Sequence, residues 1–218
     1  LAKLATLDNA PKKQRLVSGI AAVDLYEKRL GERGKALEVL QKLEASGLST
    51  IKVRERLARL AAKAKNWTEA LGILEKLMTE RDSSKGRAEA ARLAMVICRE
   101  KLSKPKRAVP AVRQLLIEIP DDNEAIRFVL ESEVASTLRD KVVPVARRVV
   151  NEKLTANPFD AERIRLLIDM AAAERARDVQ RVALGCLIAL GAGDDEDAKI
   201  AARIDTRMAT APQTVLDA

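Results

Sequence analysis

Four basic side chains, Lys52, Arg56, Arg59 and Lys63, follow one another at steps of four, three and four residues. On a helix those steps put all four on one face. Ammonium and guanidinium groups arranged in this way can hold carboxylates, including the terminal carboxylate of a peptide. The same spacing also fits an ordinary solvated helix face. A second pattern occurs three times, as Glu89-x-x-Arg92, Glu124-x-x-Arg127 and Glu162-x-x-Arg165. Three equivalent arginines would make a ladder along one surface. Glu and Arg at these spacings also form intrahelical pairs, worth only about 0.2–0.5 kcal/mol each.

What the chain lacks narrows the chemistry. It contains no histidine, which removes the usual general base and every Ser-His or Cys-His nucleophile pair. Cys98 and Cys186 lie far apart on apolar stretches and form no CxxC, so both read as buried thiols, not as a disulfide or metal ligands. Asp194-Asp-Glu-Asp197 has the charge of a calcium loop without its alternating ligands or glycine. It reads as an acidic first turn, favourable at the positive end of a helix. The one GxG, Gly191-Ala-Gly193, precedes those acids, which would repel a phosphate. No catalytic set, metal site or cofactor site is expected, and the chain does not read as an enzyme.

The elements that carry these residues follow from composition and period. Of 218 residues, 47% are apolar and only 2% aromatic, with 9 glycines and 7 prolines mostly between apolar-periodic segments. A core of Leu, Val, Ile and Ala suits closely approaching helices, and the composition is all-helical. The net charge is +8. Residues 1–150 hold 31 basic and 20 acidic side chains, and residues 151–218 hold 9 and 12, so the front of the chain is basic. No apolar run is long enough to cross a membrane. The opening Leu1 reads as a fragment of a larger protein. No leader-like segment is visible, which favours the cytoplasm without fixing the compartment.

Helix-period patterning and turn residues predict five hairpins, at about 11–46, 49–81, 87–119, 121–156 and 158–190, and an extra helix at about 194–209. Asp82-Ser-Ser-Lys-Gly86 reads as a polar linker between hairpins. Second-helix anchors fall near Ala36, Ala70, Ala108, Val142 and Gln180, at spacings of 34, 38, 34 and 38. The additional four residues are about one helical turn, so the buried face keeps its phase. Repeats of this length on helical sequence mark stacked helix pairs. Trp67, at the start of a second helix, reads as a packing residue.

In the second hairpin Leu57, Ala58 and Ala61, then Ala70, Leu74 and Leu77, fall where tetratricopeptide (TPR) repeats place their small, aliphatic and aromatic positions. Pro120, twelve residues after Ala108, matches that family's closing proline. Over residues 16–190 the chain resembles TPR proteins, although the aromatic positions here are mostly aliphatic and two spacings are long. The resemblance implies an all-α fold: a right-handed superhelical array of about five antiparallel helix hairpins plus a C-terminal helix, forming a single domain over 1–218. It also implies a concave groove that holds a peptide or partner helix, with Lys52, Arg59 and Lys63 facing it. The expected role is therefore a protein-interaction scaffold for a protein or peptide partner, with an acidic one suiting Lys52, Arg56, Arg59, Lys63, Arg92, Arg127 and Arg165. A nucleic-acid-binding repeat would use the basic charge but lacks stacking aromatics and has acids interspersed. A self-associating module, pairing through the array ends, is the remaining alternative.

Overall fold

A computed structural model describes residues 10–132 and 136–204. The described residues are mostly helical, with no strand among them. They fall into two compact units, divided after Glu118.

Among the described residues the first unit contains six α-helices. α1 (Lys12–Asp24) continues through a wider π-helical turn, Leu25–Leu30. α2 (Arg33–Ala45), α3 (Ile51–Lys63) and α4 (Trp67–Glu80) follow. α5 (Ser84–Val96) again runs on through a π-helical turn, Ile97–Lys101, and α6 (Pro105–Glu118) closes the unit. Each helix packs on the next in sequence, and the connections are short, so successive helices reverse direction. Ala36, Ala70 and Ala108 are each fully buried. These three anchors are where the period placed them, and a methyl side chain there lets the second helix of each pair approach its neighbours closely.

Several local features differ from the sequence-based expectation. The polar linker is shorter than predicted, because α5 starts at Ser84. Ser83 caps it by accepting from the Gly86 backbone N–H at 3.1 Å, a standard way to satisfy a first-turn donor. Gly86 is buried inside the helix, where a Cβ would meet Ser83 Oγ at 2.7 Å and Arg81 Cδ at 2.8 Å. Arg81 Nη1 donates to the Gly86 carbonyl at 2.6 Å. Turns that leave the C-terminal ends of helices use a left-handed residue: Gly31, Gly47, Lys65 and Ser103 here, and Arg175 and Gly191 in the second unit.

The second unit contains α7 (Asn123–Glu131), α8 (Ser136–Ala156), α9 (Ala161–Ala173), α10 (Arg177–Ala189) and α11 (Asp195–Ile204). The predicted extension of α11 to 209 lies outside the described residues. The two later anchors shift in phase. Val142 and Gln180 are only half-buried, while Val143, Ala146, Ala183 and Leu184 form the buried positions. Pro144 accordingly sits in the third turn of α8, where its missing N–H leaves one helical carbonyl without its usual donor. Asp122 and Asp160 cap α7 and α9, accepting from Ala125 N at 3.0 Å and Arg163 N at 3.1 Å.

Alternate helices of the first unit are tied by ion pairs about thirty residues apart in sequence. Lys76 Nζ lies 3.0 Å from Glu44, and Arg107 Nε lies 3.4 Å from Glu75. Arg87 grips Glu118 with Nε and Nη2, at 2.6 and 3.1 Å. The Glu118 side chain is 7% exposed. The Arg87 guanidinium, with help from Ser84 and Gln114, holds its carboxyl down at about 2, against an ordinary 4.5.

Two predictions concern stability. Ala70→Leu should overpack the α4 contact and lower unfolding free energy by about 1–3 kcal/mol in urea melts. Because the Glu118 pKa is depressed on folding, its stabilising contribution is complete above pH 4.5 and disappears as pH falls toward about 2. Glu118→Gln should cost about 1–3 kcal/mol at neutral pH and flatten the acid limb of the stability profile. An unchanged acid limb would show that the pair contributes nothing.

Candidate functional site

The first three of the four basic residues on α3 have different surroundings. Lys52 is exposed near the start of the helix. Arg56 turns toward α1, with Nη2 2.7 Å from Asp24 Oδ1 and Nε 2.9 Å from Glu27 Oε2. Its side chain is 18% exposed and that of Glu27 14%. Arg59 Nη2 adds a bond of 3.0 Å to Glu27 Oε1 while its own side chain stays 54% exposed. The hydrogen bond from Arg56 is the main cause of a lowered pKa at Asp24. At Glu27, burial raises the carboxyl, but Arg56, Arg59 and Lys63 together bring it below its ordinary value. Burial would lower Arg56, and its bonds to the two carboxylates outweigh that and raise it. Arg56, Arg59 and Lys63 of α3 thus face Asp24 and Glu27, with Lys28 also on Asp24, and positive charge is left in excess at the C-terminal end of α3.

That charge borders a groove. An open cavity of about 420 Å³ lies between α3 and α5, over α4. Its apolar floor comes from Ala58 and Ala62 on α3, Leu74 and Leu77 on α4, and Ala90, Leu93 and Ile97 of α5 and the turn that follows it. Leu93 is 56% exposed, so the floor presents apolar surface to solvent. Arg59 and Lys63 form one rim with Glu55; Arg81 and Glu89 form the other. Arg81 is occupied, reaching Glu55 at 2.5 Å and Glu89 at 3.5 Å. The cationic rim therefore consists of Arg59 and Lys63. Of the four residues of the basic stripe, these two border the groove, and Lys52 and Arg56 do not. The floor residues on α5 were not singled out, although Ala90, Leu93 and Ile97, at steps of three and four, are readable as one helix face.

The three repeated arginines are held in different ways. Arg92, in the first unit, is half-buried on α5 and engaged within the protein. In the second unit, Arg127 Nε lies 3.6 Å from Asp169 on α9. Arg165 donates to the Ala192 carbonyl at 2.7 Å and pairs with Asp197 at 3.1 Å. The carboxylates that pair with Arg127 and Arg165, Asp169 and Asp197, thus lie on other helices. Asp194-Asp-Glu-Asp197 forms a helix start as expected, with Asp194 Oδ1 accepting from the N–H groups of Glu196 and Asp197 at 3.0 and 2.9 Å. These N–H bonds hold the Asp194 carboxyl below the ordinary range. No group of three or more metal-ligating side chains suited to an ion occurs among the described residues.

The two cysteines differ. Cys98 is buried, and burial pushes its thiol up. Cys186 is exposed, contrary to expectation. It stands with Val179 and Val182 on a face of α10 that lines a second apolar cavity of about 460 Å³, above Ile164 and Leu167 of α9. Apolar patterning on α10 therefore marks an open face as well as a core.

Neither models of known protein families nor curated proteins match the chain. What the fold and site define is an all-helical protein with an apolar groove and a cationic edge in its first unit.

Arg56→Ala should leave Asp24 and Glu27 without their shared guanidinium and destabilise the first unit by about 1–3 kcal/mol. Lys52→Ala should change stability by less than about 0.5 kcal/mol. Urea denaturation of both variants checks the difference, which should narrow in acid as the two carboxylates protonate.

Proposed function

We propose that this chain is a non-catalytic interaction module of the TPR-like class, whose first unit binds a peptide segment in the groove between α3 and α5. Each unit is read as part of a right-handed superhelical stack of antiparallel helix pairs: α1 with α2, α3 with α4 and α5 with α6 in the first, α7 with α8 and α9 with α10 in the second, followed by α11. The observation that carries the binding reading is the pairing of an apolar floor, open at Leu93, with a rim on which Lys63 and the exposed Arg59 remain available. Apolar burial gives affinity without direction. The two cations supply the direction, so the occupant carries apolar side chains and carboxylates. A floor of alanine and leucine offers no aromatic surface for stacking bases, which favours a peptide over a single-stranded nucleic acid at this site.

Selection of displayed random peptides on the chain tests the reading. Enriched sequences should combine apolar residues with Asp or Glu. They should lose binding to the Arg59→Glu, Lys63→Glu double variant and to Leu93→Asp, while the helical circular-dichroism signal is retained. Peptides that bind all three proteins equally would place recognition elsewhere and overturn the assignment.

A further inference from the structure

Helix direction sorts the charges of the first unit. Asp24 and Glu27 of α1 and its π-helical turn meet Arg56 and Arg59 of α3 at matching steps of three residues. α1 and α3 therefore run parallel, and their C-terminal ends point the same way. α5 has the same direction, because α4 reverses the chain on either side of it. The turns α1/α2, α3/α4 and α5/α6 consequently share one end of the unit.

That end is basic. The first turn carries exposed Lys28, Arg29, Arg33 and Lys35. The second adds exposed Lys63 and Lys65, and the third adds Arg99, Lys101, Lys104 and Lys106, all exposed. Glu32 and Glu100 are the only acids in these three segments, residues 28–35, 63–65 and 99–106. Lys28, Lys35 and Lys101 have carboxylates at 3.5, 2.8 and 3.6 Å, all on their own helix or turn. The opposite end also carries exposed lysines, Lys12, Lys13, Lys42 and Lys85, but its turns are less basic: residues 45–50 carry no charge, and Arg81 in the α4/α5 turn is shared between Glu55 and Glu89.

The basic end also presents apolar side chains. Leu30, flanked by Arg29 and Gly31, is 54% exposed, and Leu25 is 39% exposed. Trp67, the single tryptophan, is half-buried at the first position of α4. The Tyr26 ring, by contrast, is covered by Lys35, whose Nζ lies 5.9 Å from its centroid. Basic side chains surrounding an exposed leucine and an interfacial tryptophan suit a surface with anionic headgroups over hydrocarbon. Long lysine stems reach the phosphates while apolar tips enter beneath them.

We propose that the end of the first unit formed by the α1/α2, α3/α4 and α5/α6 turns docks on the surface of an anionic lipid bilayer. The contact is peripheral: no helix of the described residues is long and apolar enough to cross a membrane. This inference is independent of the peptide reading and uses a different surface, with Lys63 alone common to both. A duplex nucleic acid would answer the same charge but would gain nothing from Leu30.

Vesicles of phosphatidylcholine, with and without phosphatidylserine, provide the test. The chain should co-sediment with phosphatidylserine-containing vesicles at low salt, be released at high salt, and ignore phosphatidylcholine alone. Trp67 emission should shift to the blue on binding. The quadruple variant Arg29→Glu, Arg33→Glu, Lys65→Glu, Lys104→Glu should lose binding, each charge removed lowering the partition coefficient roughly fivefold. Reversing four exposed lysines outside the three turns, Lys12, Lys13, Lys42 and Lys85, should have a much smaller effect, and Leu30→Ser should weaken binding with the charge unchanged. Failure to bind phosphatidylserine vesicles, or equal losses in the two charge-reversed proteins, would overturn the proposal. So would tighter binding to duplex RNA together with no effect of Leu30→Ser on vesicle binding.

Discussion

The first unit depends on three alanines buried between its helices. Ala36, Ala70 and Ala108 are fully buried, each near the start of a second helix. A larger side chain at any of them would push a helix away from its neighbours and open the contact on both sides. Close approach in turn allows side chains on alternate helices to reach one another. Glu44 with Lys76, Glu75 with Arg107 and Glu27 with Arg59 all bridge 32 residues of sequence. Those bridges are consequences of the packing distance, not its cause: most are partly exposed, where an ion pair contributes at most about 1 kcal/mol. The groove follows from the same geometry: α3 and α5 flank α4, whose Leu74 and Leu77 are buried between them, and Leu93 is left open.

How legible this was in the sequence varied along the chain. Period and composition identified helices everywhere, and the three early anchors were correct to the residue because alanine recurs there at a fixed phase. The later two were misplaced by a few residues. Val142 and Gln180 continue the numerical spacing, but the buried stripe on α8 and α10 follows Val143, Ala146, Ala183 and Leu184. A period read from anchors does not fix the phase of a helix that starts at Ser136. Gly86 looked like linker because glycine usually breaks helices; its role depends on Arg81 lying against it, which no local pattern reveals.

The candidate site was legible in part. A four-residue basic stripe is visible in sequence, yet its members divide between structure and surface according to what α1 places opposite them. Asp24 and Glu27 occupy Arg56 completely and Arg59 partly, and only a three-dimensional neighbour could indicate that. The repeated Glu-x-x-Arg motif shows the same limit. Arg127 and Arg165 pair with Asp169 and Asp197, each on another helix. Local spacing names the residues but not their partners. Cys186 is the converse case: its apolar surroundings in sequence belong to a face left open.

The left-handed turn residues bear on how this fold is maintained. Lys65, Ser103 and Arg175 adopt positive φ angles of 60°, 51° and 57°, where Gly31 adopts 67°. An L side chain in that conformation costs about 1–2 kcal/mol that glycine would avoid. The three positions therefore hold conformational strain outside the core, in segments where the chain is most open to change. Thermal tolerance could be raised at the turns alone, with the alanine contacts untouched. What such replacements would give up at Lys65 and Arg175 is a cation at the tip of a turn.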